Sequence, residues 1–306
     1  MKVLWRHMFG TLCAVWLATG CGSNPNPVVV YCSQDQVYAE PILQDFQRRS
    51  GIRVLPVFDS EAVKTVGLAK RLLAESNRPV ADVFWSNEEM RARDLMDRKV
   101  LASWTPTVYR TRRLAYHSGR VSKESLPESF EALTNRVWRG RFAIAYPFAG
   151  TTATHLHALR IRWGEERWLR WIDGLLANNP KLVDGNSLVV QMIERGAVDI
   201  GITDIDDIRA ARRRGAPIAA APPFVDGIAI RNAVAIVANA PHPKNAIALH
   251  SYLTSPEVDG RLIDADAAEG AGRPTGIEGL HDEDWPKIQG DLEWVTDILK
   301  ERFLTP

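Results

Sequence analysis

Four short stretches of this chain carry residues able to do chemistry. In the first, 196–207, Val198, Ile200 and Ile202 alternate with polar positions until the run stops at Asp204, Asp206 and Asp207. The alternation predicts a strand, and the acids fall at its carboxyl end, where open α/β sheets bind ligands. Two further apolar runs end in the same manner, one in Ser33, Gln34 and Asp35, the other in Asn87 and Glu88. Carboxylates are hard oxygen donors that suit a hard cation, and they also pair with an organic ammonium group. The fourth stretch, Ala149-Gly150-Thr151-Thr152, stands at the head of a helical pattern, where unpaired N–H groups and the helix dipole attract an anion. Acids facing an anion seat suit a ligand with a positive and a negative part, or a metal held with a bridging anion. Each feature has a plainer alternative, because Asp and Thr also serve as ordinary helix caps.

The familiar catalytic arrangements are missing from the sequence. There is no Gly-x-Ser-x-Gly elbow, no phosphate loop with Gly-Lys-Ser/Thr and no His-Glu-x-x-His, and 204–207 lacks the Gly and later Glu of a calcium loop. His155 and His157 flank Leu156 at a spacing that puts them on different faces of a helix, so they do not form a joint metal site. Paired carboxylates do hydrolyse glycosides, which keeps a secreted hydrolase as a rival to a binding protein.

The elements that must position these residues alternate. Strand patterns at 28–31, 52–58 and 81–85 are separated by amphipathic segments, the first carrying Ile42, Leu43 and Phe46 and the second running over 61–75. This order implies a mostly parallel sheet with helices on both faces. From Tyr109 the character shifts to a basic segment with Arg110, Arg112 and Arg113, and the first crossing between domains is placed here. A strand at 142–146, a helix over 153–163, and a Trp-rich helix over 165–178 follow, with Trp168 and Trp171 read as core. A helix over 188–195 leads to the acidic strand end, a strand pattern spans 228–238, and the return crossing is placed near Ala235. Gly270, Gly272 and Gly276 have the wrong spacing for a dinucleotide fingerprint and read as a loop.

With 306 residues, 45% hydrophobic and 25% charged, the chain is long enough for two ordinary domains. Lys2 and Arg6 precede a short apolar run closed by Ala18-Thr19-Gly20-Cys21, which reads as a secretory signal over 1–20. Cys21 and the polar tether 21–27 resemble a bacterial lipoprotein signal in which Cys21 is acylated, although Ala18 stands where such signals have Leu. Losing Lys2 and Arg6 turns 38 basic against 37 acidic residues into 36 against 37, a balance that offers no nucleic-acid surface. Cys32 is left without a disulfide partner and reads as a small buried hydrophobe.

Several motifs together carry a family resemblance: Val29-Val30-Tyr31-x-x-Gln34-Asp35, Ala81 to Trp85, Trp138-Arg139-Gly140 within 129–147, Asn186-Ser187-x-Val189-x-Gln191 with Gly196, and Ala240-Pro241-His242-Pro243 through Leu253 to Glu257. The chain resembles the bacterial extracellular solute-binding proteins of ABC importers, in the branch that contains the periplasmic ferric-ion-binding proteins. The resemblance implies an α/β, type II-like, two-domain periplasmic-binding-protein fold with the ligand cleft between the domains. It implies a monomer, lipid-anchored in the periplasm, that hands a small solute or metal ion to a membrane permease. A ligand-sensing subunit of a signalling receptor shares the fold.

The expected domains are 28–112 plus 235–281 and 113–234 plus 282–306, the carboxyl-terminal helix returning to the second. In the iron-binding members a His, a Glu and two consecutive Tyr hold the metal. Here the matching positions are Asp35, Asn87 with Glu88 adjacent, Ile205 and Asp206, so every metal-donor position is changed. The anion seat is retained, with Ala149, Gly150 and Thr151 at one helix head and Asn186 matching an anion-contacting Asn. The expected ligand site is Ser33, Gln34, Asp35, Asn87, Glu88, Ala149 to Thr152, Asn186, Asp204, Asp206 and Asp207. Asp35, Glu88, Asp204 and Asp206 are the expected donors for a cargo of ferric iron. Relatives of this fold bind aminoalkylphosphonates, thiamine and sugar phosphates, which are the alternatives. No resident cofactor and no enzymatic activity are expected.

Overall fold

The structure is a computed structural model that describes residues 26–58, 64–272, 274, 281 and 284–304. The signal, Cys21 and Gly276 lie outside the described residues.

In the first half, β1 (Val28–Cys32), α1 (Gln36–Ser50), β2 (Val54–Phe58), α2 (Lys64–Ala74), β3 (Val83–Ser86) and α3 (Glu89–Asp97) alternate as the apolar pattern predicts. β4 (Leu101–His117) then runs for 17 residues. After it come β5 (Phe142–Ala145), α4 (Gly150–Trp163), α5 (Glu165–Ala177), β6 (Lys181–Val183), α6 (Asn186–Glu194), β7 (Ile200–Asp204), α7 (Ile205–Arg213) and β8 (Ile218–Ala220). β9 (Ala229–Val237), α8 (Pro243–Leu253), α9 (Pro256–Asp264), β10 (Gly270–Ala271), α10 (Trp285–Gly290) and α11 (Leu292–Leu304) complete the described chain.

The strand order is β2-β1-β3-β9-β4-β7-β5-β6, with β8 and β10 also paired to β4. β1 is parallel to β2 and β3, β5 is parallel to β6 and β7, and β9 and β4 lie between the two parallel groups. β4 therefore serves both halves, pairing with β9 through 101–111 and with β7 through 112–116. The sequence pattern gave no strand here. Ala235, where the return crossing is expected, lies inside β9 opposite Phe84 and Trp104.

Each half is packed on both faces, which is the reason for the near-continuous apolar runs. Along β1, Val28, Val30 and Cys32 face α1, α8 and α9, while Tyr31 faces α2 and α3. In the second half, Phe142, Ile144, Ile200 and Ile202 pack with Trp168 and Trp171 of α5 and with Val295, Leu299 and Phe303 of α11. The opposite face carries α6 and α7, and Gly201 is what lets α6 approach, since a Cβ there would lie 2.4 Å from Val189. Met90 of α3, Ala153 of α4 and Trp285 of α10 join the two halves.

Candidate functional site

The carboxyl ends of β1, β3, β5, β6 and β7 converge on one cavity of about 60 Å³. The first half lines it with Asp35 and Asn87, the second with Tyr146, Ala149 to Thr152, Asp184 to Asn186, Asp204 and Asp207, and β4 contributes Arg110. Two helix heads open there. Gly150 begins α4 at a φ of +56°, a left-handed conformation that glycine adopts without strain, and Gly185 precedes α6. The N–H groups of each first turn have no partner within the helix, so both ends favour an anion.

Of the acids near these helix heads, Asp204 and Asp206 are buried, Asp35 and Asp207 are partly exposed and Asp184 is exposed. Asp204 precedes α7 yet its side chain caps nothing. Its Oδ1 accepts from Arg112 Nη1 at 2.8 Å, and its Oδ2 accepts from Thr151 Oγ1 at 2.6 Å and Asn186 Nδ2 at 3.0 Å. Arg112 also donates to Thr151, Thr152 and Asn186 Oδ1. Two residues earlier on β4, Arg110 donates to Asp206 Oδ2 at 2.9 Å and to Gln34 and Asn232. The antiparallel register sets Arg112 opposite Asp204, the last pair of the β4–β7 ladder, and Asp206 meets Arg110 from the first turn of α7 beyond it.

Burial works against the charge on Arg110, but Asp206, Asp204, Asp35 and Asp207 together hold it above the usual arginine range. Asp206 is pushed up to about 7, because burial and the carboxylates of Asp204 and Asp35 outweigh Arg110. One oxygen each of Asp204, Asp206 and Asp207 lie within 4.8 Å of one another, the spacing of a cation site. Asp207 accepts from Thr203 Oγ1 at 3.1 Å.

The structure thus brings Asp35, Asn87, Ala149, Gly150, Thr151, Thr152, Asn186, Asp204 and Asp207 to the cavity wall. Ser33, Gln34 and Asp206 stand behind it: Ser33 Oγ holds the Asn87 N–H at 3.1 Å, and Gln34 supports Arg110. Glu88 is fully buried at the head of α3, where its carboxylate accepts from the N–H groups of Met90 and Arg91 and from Thr154 Oγ1 of α4. Burial raises it to about 7 against the lowering effect of Arg91 and those hydrogen bonds. His155 and His157 are buried in α4, where burial first and nearby arginines second lower both, His157 to about 3.

Sequence reasoning missed Arg110, Arg112, Tyr146, Asp184 and Asn232. A usable signal existed for the first two: 107–117 contains neither Gly nor Pro and is rich in β-branched and aromatic residues, as a strand requires.

Solved structures share this architecture. The iron-bound HitA from Pseudomonas aeruginosa is 20% identical, with a TM-score of 0.78, the match covering 90% of this chain and 99% of that one. The ferric binding protein from Campylobacter jejuni is 17% identical over 90% and 99%, with a TM-score of 0.77. The periplasmic binding protein AfuA from Actinobacillus pleuropneumoniae, with fructose-6-phosphate bound, is 18% identical over 90% and 97%, with a TM-score of 0.76. The fold is accordingly the two-domain, type II-like periplasmic-binding-protein architecture expected from the motifs. A family model described as bacterial extracellular solute-binding protein matches residues 28–265, the span that builds both strand groups and the cavity between them, and the chain belongs to that family.

Proposed function

We propose that this chain is the extracytoplasmic capture subunit of an ABC importer, and that its cargo is a hard cation, ferric iron, held together with a small oxyanion. The observation that carries this reading is a single small cavity in which carboxylates from both halves face two helix heads. Asp35, Asp184, Asp204 and Asp207 outnumber Arg110 and Arg112 even with Asp206, pushed up to about 7, left out of the count, and this balance favours a cation. Its 60 Å³ holds on the order of four to six water-sized groups, which suits an ion with a small anion. Thiamine or a sugar phosphate would have to extend into the outer groove of about 570 Å³ that shares Asp35 and Asp207.

The second reading, a small zwitterion such as an aminoalkylphosphonate, is favoured by Arg110 and Arg112, which each already occupy one oxygen of an acid. Native mass spectrometry of protein purified without added ligand, then a thermal-shift screen, separates the two. A ligand at a hundred times its dissociation constant adds roughly 2.7 kcal/mol, and a shift with phosphonates and none with ferric chelates would replace iron.

We further propose that the halves are separate lobes, with crossings near Arg112 and Ile228, that α11 belongs with the second, and that they close over the cargo as a monomer. The lipid anchor at Cys21 leaves from the first lobe, where Asn26 O accepts from Asn245 Nδ2 of α8 at 2.7 Å. No helix among the described residues is long and apolar enough to cross a membrane. Loss of palmitate labelling in Cys21→Ser tests the anchor. Capture without turnover is the reading for the acids as well, since both oxygens of Asp204 are engaged; hydrolysis of a glycan, lost in Asp204→Asn, would restore the hydrolase.

A further inference from the structure

We infer that α7 docks the second lobe on the first through Arg209 and Arg213, and that this clasp, remote from the cargo donors, sets how firmly the cleft stays shut. This rests on the reading above that the halves are lobes closing over a cargo, and it assigns the closure to side chains which that reading does not name. α7 moves with the second lobe, because Ile205, Ile208 and Ala211 pack with Val189 and Ile193 of α6. A different stripe of the helix, Asp206, Arg209 and Arg213 at i, i+3 and i+7, faces the first lobe. Asp206 takes Arg110 at the cavity, and the two arginines reach the turn 265–269 that joins α9 to β10.

Arg213 makes the close contacts. Its Nη1 donates to Asp266 Oδ2 at 2.5 Å and its Nη2 to Ala265 O at 2.9 Å, so one guanidinium holds a carboxylate and the cap residue of α9. A cation is favoured at that end of a helix dipole. The receiving turn is fixed to the first lobe, since the Glu269 N–H donates to Tyr109 O at 2.8 Å and β10 pairs with β4 at Val108 and Tyr109. The rest of the clasp is drawn up but not made. Glu269 Oε1 lies 3.7 Å from Arg113 and 3.8 Å from Arg209, beyond hydrogen-bond reach, and Glu269 Oε2 has no hydrogen-bond partner. A movement of α7 by about 1 Å toward the turn would bring these pairs to charge-assisted hydrogen-bond distance. Ala210 and Arg214 on the same helix line the outer groove with Val37 and Tyr38 of α1, so movement toward the first lobe also narrows the mouth.

The test uses the full-length mature protein in a Cys21→Ser background, spin-labelled at Gln44→Cys of α1 and Lys181→Cys of β6, both exposed, while Cys32 is buried. The distance between labels is measured with and without ferric nitrilotriacetate, and iron loss to excess EDTA is timed. In the wild type ferric nitrilotriacetate shortens the distance, and salt at about 1 M, which screens exposed ion pairs, lengthens it. Arg213→Gln lengthens the distance at low salt, weakens the salt response and speeds iron loss about three- to tenfold, the range of one partly exposed ion pair with a helix-end contact. Asp266→Asn, which keeps a residue suited to the left-handed φ of +56°, does the same, and the double variant is no worse than either alone. Arg48→Gln removes the same charge from a first-lobe pair whose Asp45 keeps Arg261 and Tyr252, and changes neither readout. Melting temperatures that stay unchanged separate closure from stability. A distance that ferric nitrilotriacetate shortens and Arg213→Gln leaves alone overturns the clasp and leaves the two-lobe reading standing. A distance that neither of them moves overturns both. A distance lengthened by Arg213→Gln in a protein that retains no iron supports the clasp and removes the ferric cargo.

Discussion

Two ion pairs, two residues apart on β4, do different work. Arg112 and Asp204 lie within the second half, where Thr151, Thr152 and Asn186 help to engage both carboxylate oxygens and both terminal nitrogens of the guanidinium, and Arg112 Nε alone is left without a partner. Arg110 and Asp206 join β4 to α7 while Gln34 and Asn232 hold the guanidinium from the first half, and Gln34 Nε2, Arg110 Nε and Asp206 Oδ1 are left without partners. A network closed at its carboxylate, with both oxygens of Asp204 engaged, fixes the shape of a wall. An incomplete one at a lobe boundary keeps capacity for a ligand, at the cost of unsatisfied buried groups.

The largest expected effect tests the closed pair. Arg112→Met strands Asp204 as a buried, uncompensated charge and should destabilise the protein by about 3–5 kcal/mol in urea unfolding. Arg110→Met should cost less at pH 7, because Asp206, already pushed up to about 7, can take up a proton once its partner is gone. Equal losses would erase the distinction between the pairs.

Glu88 sharpens it as a buried acid held by backbone N–H groups and Thr154 without a guanidinium hydrogen bond. Raised in the folded state from 4.5 to about 7, it contributes stability that is fully present below pH 4.5 and lost as pH rises through 7. The span corresponds to roughly 3 kcal/mol. Glu88→Gln should remove that part of the pH dependence of urea unfolding. His157, lowered to about 3, acts oppositely: its unfolded form binds the extra proton between about pH 3 and 6.5, so stability falls on acidification there. An unchanged slope in Glu88→Gln would show that Glu88 is ionised throughout.

What the sequence made legible follows from burial on the two faces of each element. Asp204, Asp206 and Asp207 could be found because Ile200 and Ile202 alternate and then stop, and Gly150 to Thr152 because a helix must begin after β5. β4 is buried along most of its second half, with Arg110 and Arg112 at 3% and 1% exposure, so the positions that alternate with Tyr109 and Thr111 are charged rather than apolar and the stretch reads as a basic surface segment. The neutralising partners of the acids were therefore hidden although their residues were in view. Asp204 and Asp206, expected in an open cleft, proved to be buried for the same reason, while Asp35 and Asp207 keep partial exposure. Glu88 reads as a donor because Glu is not a favoured N-cap, and only the structure shows its carboxylate turned into α3.

Asp206→Asn separates ligand binding from folding. The amide keeps an acceptor for Arg110 and removes the repulsion from Asp204 and Asp35, so urea unfolding above pH 7 should show a stability change below about 1 kcal/mol or a gain. Ferric affinity, read by competition with a chelator, should fall by more than about tenfold, since the unpartnered oxygen is lost as an anionic donor. Asp204→Asn should do the reverse, with the larger loss in stability. If both variants lose stability alike and neither loses iron, the incomplete pair is as structural as the closed one.

The smallest effect asks which atoms of the anion seat act on the ligand. Thr152 Oγ1 accepts from Arg112 Nη2 at 3.2 Å and donates to Asn186 Oδ1 at 3.3 Å, so its hydroxyl belongs to the closed network, while its backbone N–H lies in the open first turn of α4. Thr152→Val keeps the branched shape and the N–H but removes the hydroxyl. The network loses a bond to a charged group that its other members partly cover, and the expected destabilisation is about 1 kcal/mol. If the seat works through backbone N–H groups and the helix dipole, iron affinity in bicarbonate or phosphate buffer should stay within a factor of ten, less than about 1.4 kcal/mol. A larger drop in affinity with little loss of stability would place the Thr152 hydroxyl on the ligand and move the division between wall and site one residue into α4.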